Sequence, residues 1–258
     1  MSSCGQPRRT GCTHLPALGV PQVKLRPGNV VVSIGTSVTV YGVSDEPTAD
    51  PPGIVAGFAD ATGRHLPLVC TLNATKVTEA VRRLLGVDHE ELDRLALAGA
   101  PGAGGPTLLR YLDGERTPDR PNAAGVLAGL RSDVGREQLA RAAVEGVVCG
   151  LLDGLDALAA FAPTGGQLIL VGGGARSRRL PPSARRPEWT RGRGPHSGEQ
   201  VAAGACVQAA AAASGTEPAY VADAWNLAAG DVVEPGQGVT AAADVRAAYI
   251  ALRDATAG

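Results

Sequence analysis

The chain has 258 residues, of which 44% are hydrophobic but only 3% aromatic, so small aliphatic side chains must form most of the core. Its formal net charge of −1, with the charges interspersed, argues against a nucleic-acid-binding or membrane-surface protein. No run of about 18 apolar residues occurs, so no transmembrane helix is predicted. Five cysteines without a CxxC pair indicate reduced thiols in a cytoplasmic protein, and the scattered histidines indicate no zinc site.

The first part of the chain is predicted to consist mainly of strands. Residues 1–27 show no periodicity and are interpreted as an irregular leader, disordered or misplaced. Two β-branched runs, at 30–34 and 38–41, are joined by the small polar residues Gly35-Thr36-Ser37 and predict a hairpin. Further strands are predicted near 54–58 and 66–71.

The remainder of the chain alternates between helices and strands. Apolar residues at helical spacing predict helices at 77–85, 89–97, 136–160, 198–213 and 241–255. A glycine-proline linker and a short strand at 107–112 precede the longest of these helices, and a buried strand at 167–171 follows it. No helix or strand period is found in 178–197. This order predicts an α/β fold in which helices flank a mixed sheet.

The Gly35-Thr36-Ser37 turn is the first candidate binding feature. Backbone N–H groups in a tight turn can converge on a phosphate, and the hydroxyls of Thr36 and Ser37 would add donors. Many hairpins carry such residues, so the turn alone does not identify a phosphate site.

The second candidate feature is Gly172-Gly173-Gly174-Ala175, directly after the buried strand at 167–171. Glycines at this point allow a ligand to approach the backbone closely. A dinucleotide-binding fingerprint is disfavoured, because its sixth position is Ser177 and no acidic residue follows until Glu188. Two small-residue turns that each leave a strand, separated by a helical block, are typical of an actin-like ATPase domain that brackets a nucleotide.

A longer pattern resembles the signature of the FGGY family of carbohydrate kinases. It consists of Gly125-Val126-Leu127-Ala128-Gly129-Leu130, seven further residues, Gln138-Leu139, two more residues, and Ala142-Ala143-Val144-Glu145. Three segments are similar to the xylulokinase branch of that family: Leu72-Asn73-Ala74-Thr75, Tyr111-Leu112-Asp113-Gly114-Glu115-Arg116-Thr117-Pro118 and Gly172-Gly173-Gly174-Ala175-Arg176-Ser177. The resemblance covers 29–177 and 198–255, so 28–258 is expected to be the C-terminal nucleotide-binding domain of that family.

The resemblance implies a ribonuclease-H-like, actin-like ATPase fold and a kinase that uses ATP and Mg²⁺ to phosphorylate a pentulose, D-xylulose, to xylulose 5-phosphate. It places Gly35, Thr36 and Ser37 against the terminal phosphates. It places Gly173, Gly174 and Ala175 against the adenosine, with Asn73 nearby. Mg²⁺ is expected to be held mainly by the N-terminal half of such a kinase, which is absent from this sequence, so no metal ligand is assigned here.

The sequence departs from the family at the expected catalytic carboxylate. Family members carry it in a glycine-rich GxGDN stretch upstream of the Gly-Thr-Ser turn, whereas 10–16 here is Thr-Gly-Cys-Thr-His-Leu-Pro and no Asp or Glu precedes Asn29. His14 lies near the expected place, but a displaced segment is the favoured interpretation, so no catalytic residue is assigned. Val38 also stands where the family usually has glycine. We therefore expect no detectable turnover by this chain and at most weak ATP binding.

A second departure lies at 178–197, where an Arg-, Pro- and Gly-rich block replaces an expected helix and strand. Our hypothesis is that this block and 1–27 are out-of-frame translations of GC-rich DNA, which resequencing of the gene would test. The alternatives left open are a non-catalytic nucleotide-binding remnant, a kinase for another sugar or polyol, and a relative of other actin-like ATPases such as chaperones or glycerol-type kinases. The sequence also leaves open whether the chain forms a homodimer.

Overall fold

The computed structural model describes residues 26–60, 63–176, 192–195, 200–227, 230–233 and 239–256. Most of the 1–27 leader, His14 included, lies outside the described residues, as does all of 178–197 except 192–195. No helix among the described residues is long and apolar enough to cross a membrane.

The described residues form nine strands and six helices, with four strands first. The strands are β1 Val30–Ile34, β2 Val38–Gly42, β3 Val55–Ala59, β4 His65–Thr71, β5 Thr107–Leu109, β6 Val126–Ala128, β7 Leu168–Val171, β8 Gly192–Pro195 and β9 Gly230–Val233. The helices are α1 Thr75–Leu85, α2 His89–Ala98, α3 Arg136–Ala159, α4 Gln200–Ser214, α5 Pro218–Ala224 and α6 Val239–Ala255, and a single 3-10 turn covers Gly173–Arg176.

Seven of the described strands form one mixed sheet in the order β3-β4-β2-β1-β7-β8-β9, and β5 and β6 form a separate ribbon. Strand β2 pairs with β1 in an antiparallel hairpin, with Val30 opposite Gly42 and Ile34 opposite Val38. On its other side β1 is parallel to β7, with Ser33 opposite Val171. Because parallel neighbours end at the same edge of a sheet, the turns after β1 and β7 lie side by side.

The core covers both faces of the sheet because side chains alternate along a strand. On one face Val30, Val32 and Ile34 of β1 belong to the same buried cluster as Leu155 and Leu158 of α3. On the other face Val31 belongs to a second cluster, whose other buried members are Tyr41, Val43, Leu66, Leu68 and Val171. The predicted α/β architecture, a mixed sheet with flanking helices, is therefore present.

Helix α3 is the central support of the structure. Its N-terminus is capped by Gln138, whose side-chain oxygen accepts a hydrogen bond from the N–H of Gly135 at 2.6 Å. The helix shares buried clusters with α1 and β5, with α2, and with α6. Arg246 of α6 donates to the carbonyl of Cys149 at 2.7 Å and to the carboxylate of Asp153 at 2.6 Å, which fixes the last described helix on α3.

The sequence-based elements agree with the structure except at five elements. The expectation that 178–197 contains no regular structure is wrong for 192–195, which form β8. This strand pairs with β9, with Gly192 opposite Val233 and Pro195 opposite Gly230. Strand pairing uses backbone groups, so a segment without aliphatic side chains can still join a sheet edge. Helix α5 and strands β6 and β9 were not predicted, and the strand expected at 107–112 ends at Leu109.

Candidate functional site

A cavity of about 460 Å³ opens where β1 and β7 end. Two residues of each predicted binding turn line it, namely Gly35 and Thr36 after β1, and Gly173 and Gly174 after β7. The remaining lining residues are Ile34, Ala74, Thr75, Lys76, Thr78, Glu79, His89, Val144 and Val147. This volume falls within the range of roughly 300–1,000 Å³ that is usual for small-molecule sites.

The absence of side chains at Gly172 and Gly174 allows the two turns to meet. A Cβ on Gly174 would overlap Cγ2 of Ile34 and would come within 3.1 Å of Ile34 Cβ and of Thr75 Cγ2. Gly172 has φ +91° and a Cβ there would lie 2.5 Å from the carbonyl oxygen of Ile34. The glycine run after β7 is therefore required for close approach to the end of β1.

The Gly35–Ser37 turn is exposed and rests on the N-terminus of α1. The Gly35 carbonyl accepts hydrogen bonds from the Thr75 N–H at 3.2 Å and from the Thr75 hydroxyl at 2.9 Å. The Thr36 carbonyl accepts one from the N–H of Ala74 at 3.1 Å. Within the turn, the Gly35 N–H donates to the Ser37 carbonyl at 2.9 Å. These bonds fix the turn, and the exposed hydroxyls of Thr36 and Ser37 remain accessible to a ligand.

The Gly173–Arg176 turn presents bare backbone to the cavity. A Cβ on Gly173 would meet no atom of the described residues within 4 Å. A ligand can therefore approach the backbone of Gly173 closely. Ala175 belongs to the same 3-10 turn.

Two charged side chains on the first turns of α1 give the cavity its electrostatic character. Lys76 Nζ lies 3.2 Å from a carboxylate oxygen of Asp113, whose side chain is 77% exposed. An ion pair of this kind contributes little energy, so Lys76 is able to exchange Asp113 for another anion. Glu79 is paired with Arg82 at 2.6 Å, and the hydrogen bond from that guanidinium lowers the pKa of Glu79 to about 2.

Asn73 lies behind the cavity lining and not in it. Its side chain is 1% exposed, and its amide donates to the Gly114 carbonyl at 2.7 Å and to Glu115 at 3.1 Å. Its side-chain oxygen accepts from the N–H of Leu112 at 3.2 Å. The structure thus brings four of the seven predicted binding residues into one cavity, and places Asn73 in a buried network beside it.

The FGGY-like signature mainly fixes the packing of α3. Glu145 accepts hydrogen bonds from Arg141 at 2.6 Å and from the N–H of Gly102 at 3.0 Å. A Cβ on the neighbouring Gly146 would overlap the Leu108 carbonyl oxygen, so this glycine lets α3 lie against β5. Of the signature residues, Val144 lines the cavity.

Sequence reasoning missed the contribution of α1 to the site. Thr75, Thr78 and Glu79 stand at i, i+3 and i+4 and thus share one face of α1, and Lys76 lies beside them. The signal was present in Leu72-Asn73-Ala74-Thr75, which directly precedes this face, but nothing in the sequence placed the helix beside the two turns. His89 at the start of α2 was likewise missed.

The chain is similar to a known protein family and to several known proteins. Residues 30–180 match the model of the C-terminal domain of the FGGY family of carbohydrate kinases. The chain is 46% identical over 233 residues to a xylulose kinase of Streptomyces rubiginosus, covering 90% of this chain and 45% of that protein. It is also 46% identical over 226 residues to a xylulose kinase of Streptomyces coelicolor, covering 87% of this chain and 45% of that protein.

Among solved structures, the xylulose kinase from Bifidobacterium adolescentis superimposes with a TM-score of 0.75 at 38% identity. That match covers 93% of this chain and 46% of the other. The chain therefore spans about half the length of the relatives that it matches, and the actin-like ATPase fold implied by its sequence is confirmed. The match over 30–180, together with these relatives, shows that the chain belongs to the FGGY family of carbohydrate kinases, of which it carries the C-terminal domain.

Proposed function

We propose that this chain is the nucleotide-binding half of an ATP-dependent kinase that phosphorylates D-xylulose to xylulose 5-phosphate. The observation that carries the proposal is the parallel pairing of β1 with β7, which brings Gly35-Thr36 and Gly173-Gly174 onto one cavity. The choice of sugar rests on the 46% identity to xylulose kinases, which this chain matches over 45% of their length.

In this proposal the terminal phosphates of ATP lie against the Gly35–Ser37 turn. Phosphoryl transfer depends on positioning and on stabilisation of negative charge more than on covalent chemistry. The hydroxyls of Thr36 and Ser37 donate hydrogen bonds to phosphate oxygens, and Lys76 leaves Asp113 to supply a positive charge. The bonds from Ala74 and Thr75 hold the turn in place while it binds.

The adenosine is proposed to lie along the Gly173–Arg176 turn, with Ala175 on the same backbone path. Bare backbone at Gly173 permits contact with the flat faces of a nucleoside, and the apolar side chains of Val144 and Val147 exclude water from that side. Asn73 supports this arrangement from behind through its buried hydrogen bonds.

The residues of the cavity do not fit a metal site. Its carboxylate is that of Glu79, which is committed to Arg82, and the described residues contain no group of three or more His, Cys, Asp or Glu able to hold a metal ion. We therefore propose that the Mg²⁺ ion that accompanies ATP is held mainly by residues of the N-terminal half of the complete kinase.

The experiment that tests the proposed function has a binding arm and a turnover arm. Titration with ATP should give saturable binding that is weakened by Thr36→Val. It should be unaffected by Thr216→Val, which alters an exposed threonine between α4 and α5. A coupled assay with D-xylulose and ATP should show no turnover, because 10–16 contains no carboxylate able to accept the proton of the attacking hydroxyl.

Two results would contradict the proposal. If Thr36→Val bound ATP with the same affinity as the parent, the Gly35–Ser37 turn would not be part of the binding site. Turnover by this chain at ordinary kinase rates, on the order of 1–100 s⁻¹, would contradict the expected lack of a catalytic base. Fusing the chain to an FGGY N-terminal domain and profiling D-xylulose against gluconate and glycerol would test the choice of sugar.

We also propose a cytoplasmic location. Cys70 and Cys149 are free thiols in the structure, and free buried thiols are usual in proteins of reducing compartments. Reaction of the purified protein with a maleimide reagent under denaturing conditions, without reductant, should label both cysteines. Failure to label them would indicate oxidation and contradict this location.

A further inference from the structure

A buried carboxylate, that of Glu115, lies outside the cavity and gathers hydrogen bonds from several parts of the chain. Its side chain is 0% exposed, and one of its oxygens is 2.6 Å from Arg110, whose side chain is 1% exposed. It also accepts from the N–H groups of Leu72 at 2.6 Å and Arg116 at 2.8 Å, and from the amide of Asn73 at 3.1 Å. A buried charge with this many donors is held in one place, because displacement would leave it unpaired.

Residues 72–75, which we term the strap, connect this carboxylate to the cavity. At the beginning of the strap Leu72 and Asn73 bind Glu115, and Arg110 also donates to the Asn73 carbonyl. At its end Ala74 and Thr75 bind the carbonyls of the turn after β1. The strap is therefore four residues long and fixed at both ends by hydrogen bonds.

The strap also contacts the second turn of the cavity. Thr75 Cγ2 is one of the nearest atoms to the position that a Cβ on Gly174 would occupy, at 3.1 Å. Thr75 thus touches both turns at once, through its hydroxyl on the Gly35 carbonyl and its methyl beside Gly174. A displacement of the strap would move the two turns relative to each other.

We propose that Glu115 is a positioning residue of the nucleotide cavity, which acts through the strap to fix the spacing between the Gly35–Ser37 turn and Gly174. This inference rests on the proposed function, because the cavity is taken to bind ATP. Small displacements of binding groups reduce affinity strongly, since a ligand needs all of its contacts at the same time. The carboxylate contributes to binding without touching the ligand.

The pair formed by Arg141 and Glu145 provides a matched control. Its ion-pair distance is also 2.6 Å, its side chains are 8% and 9% exposed, and its carboxylate also accepts a backbone N–H, that of Gly102. None of these three residues lines the ATP cavity or belongs to the strap. Glu145→Gln therefore removes a similar buried charge and should alter stability without moving the turns.

The test compares Glu115→Gln, Glu145→Gln and the parent chain by amide hydrogen exchange without ligand and by titration with ATP. Both variants should melt at lower temperature than the parent. Glu115→Gln alone should increase exchange at the amides of Leu72, Ala74 and Thr75, and should weaken ATP binding by about tenfold or more. Glu145→Gln should leave the exchange of these amides and the ATP affinity at the parent values.

The proposal is overturned if Glu115→Gln shows the same strap exchange and ATP affinity as Glu145→Gln, because Glu115 would then serve stability alone. If the parent binds no ATP, the proposed function fails, while the exchange measurement still decides whether Glu115 holds the strap. Should Glu115→Gln not fold, Thr75→Val decides, because it keeps the methyl beside Gly174 and removes the hydroxyl bonded to Gly35. Unchanged exchange at Ala74 and Thr75 in that variant would overturn the role of the strap.

Discussion

Two alanine substitutions in the Gly173–Arg176 turn should test two properties independently. Gly174→Ala tests how the turn packs against the end of β1, and Gly173→Ala tests whether the turn contacts the ligand. Gly174→Ala adds a methyl that overlaps Ile34 Cγ2 and lies 3.1 Å from Ile34 Cβ. Rotation of Ile34 cannot remove the second contact, because Cβ is fixed to the backbone and the side chain is 2% exposed. Gly173→Ala adds the same methyl where no atom of the described residues lies within 4 Å.

The size of the effect follows from the cost of overpacking. Extra methyl groups in a packed region cost about 1–3 kcal/mol, and we expect Gly174→Ala to lie in this range. For a chain of this size each kcal/mol lowers Tm by roughly 2–4 °C. Gly173→Ala should leave Tm unchanged but raise the Kd for ATP about tenfold, because its methyl occupies space in the cavity that the nucleoside needs.

Thermal melting followed by circular dichroism and an ATP titration followed by NMR would measure both quantities. The two variants should give opposite patterns, with a lower Tm for Gly174→Ala, and an unchanged Tm with weaker binding for Gly173→Ala. Equal stability of the two variants would refute the close contact between the second turn and the end of β1. Unchanged ATP affinity in Gly173→Ala would refute the proposed path of the adenosine.

Three further predictions concern charge and reactivity. Lys76→Met should raise the Kd for ATP about tenfold, and added salt should weaken binding less in this variant than in the parent, as measured by titration at two ionic strengths. Burial raises the pKa of Cys149 to about 12, so a thiol reagent at pH 8 should label the exposed Cys206 and leave Cys149 unmodified until the protein unfolds, as mapped by mass spectrometry. The hydrogen bond from Arg82 lowers the pKa of Glu79 to about 2, below its value in the unfolded chain, so this pair stabilises the fold above about pH 4.3 and ceases to do so as the pH falls towards 2. The difference in Tm between the parent and Glu79→Gln should therefore shrink over that pH interval, and a constant difference would contradict the pairing.

The two turns of the site could be predicted from the sequence because small residues interrupt or follow a strand pattern at each of them. Gly35-Thr36-Ser37 interrupts two β-branched runs, and the glycines at 172–174 follow a buried strand. Helix α1 was likewise predicted to end at residue 85, and it does so, followed by Gly86 with φ 65°. Local steric rules determine such positions without knowledge of distant partners.

The position of Asn73 and the lining by α1 could not be predicted in the same way. The partners of Asn73 at Gly114 and Glu115 lie 41 and 42 residues further along the chain, so its burial depends on a tertiary contact. The resemblance placed Asn73 near the nucleotide, but sequence pattern alone does not distinguish a side chain that touches a ligand from one that supports the strand or helix beside it. The strand at 192–195 was missed for a related reason, because its pairing uses the backbone.

The proposed function requires that one nucleotide contacts both the Gly35–Ser37 turn and the Gly173–Arg176 turn. The most direct test is an NMR titration of the isotope-labelled chain with ATP, following the amide signals of Thr36, Ser37, Gly173 and Gly174. Signals from both turns should shift together with a single Kd, while amides of α5, such as that of Tyr220, stay unchanged. Shifts confined to one turn, or two different Kd values for the two turns, would contradict it.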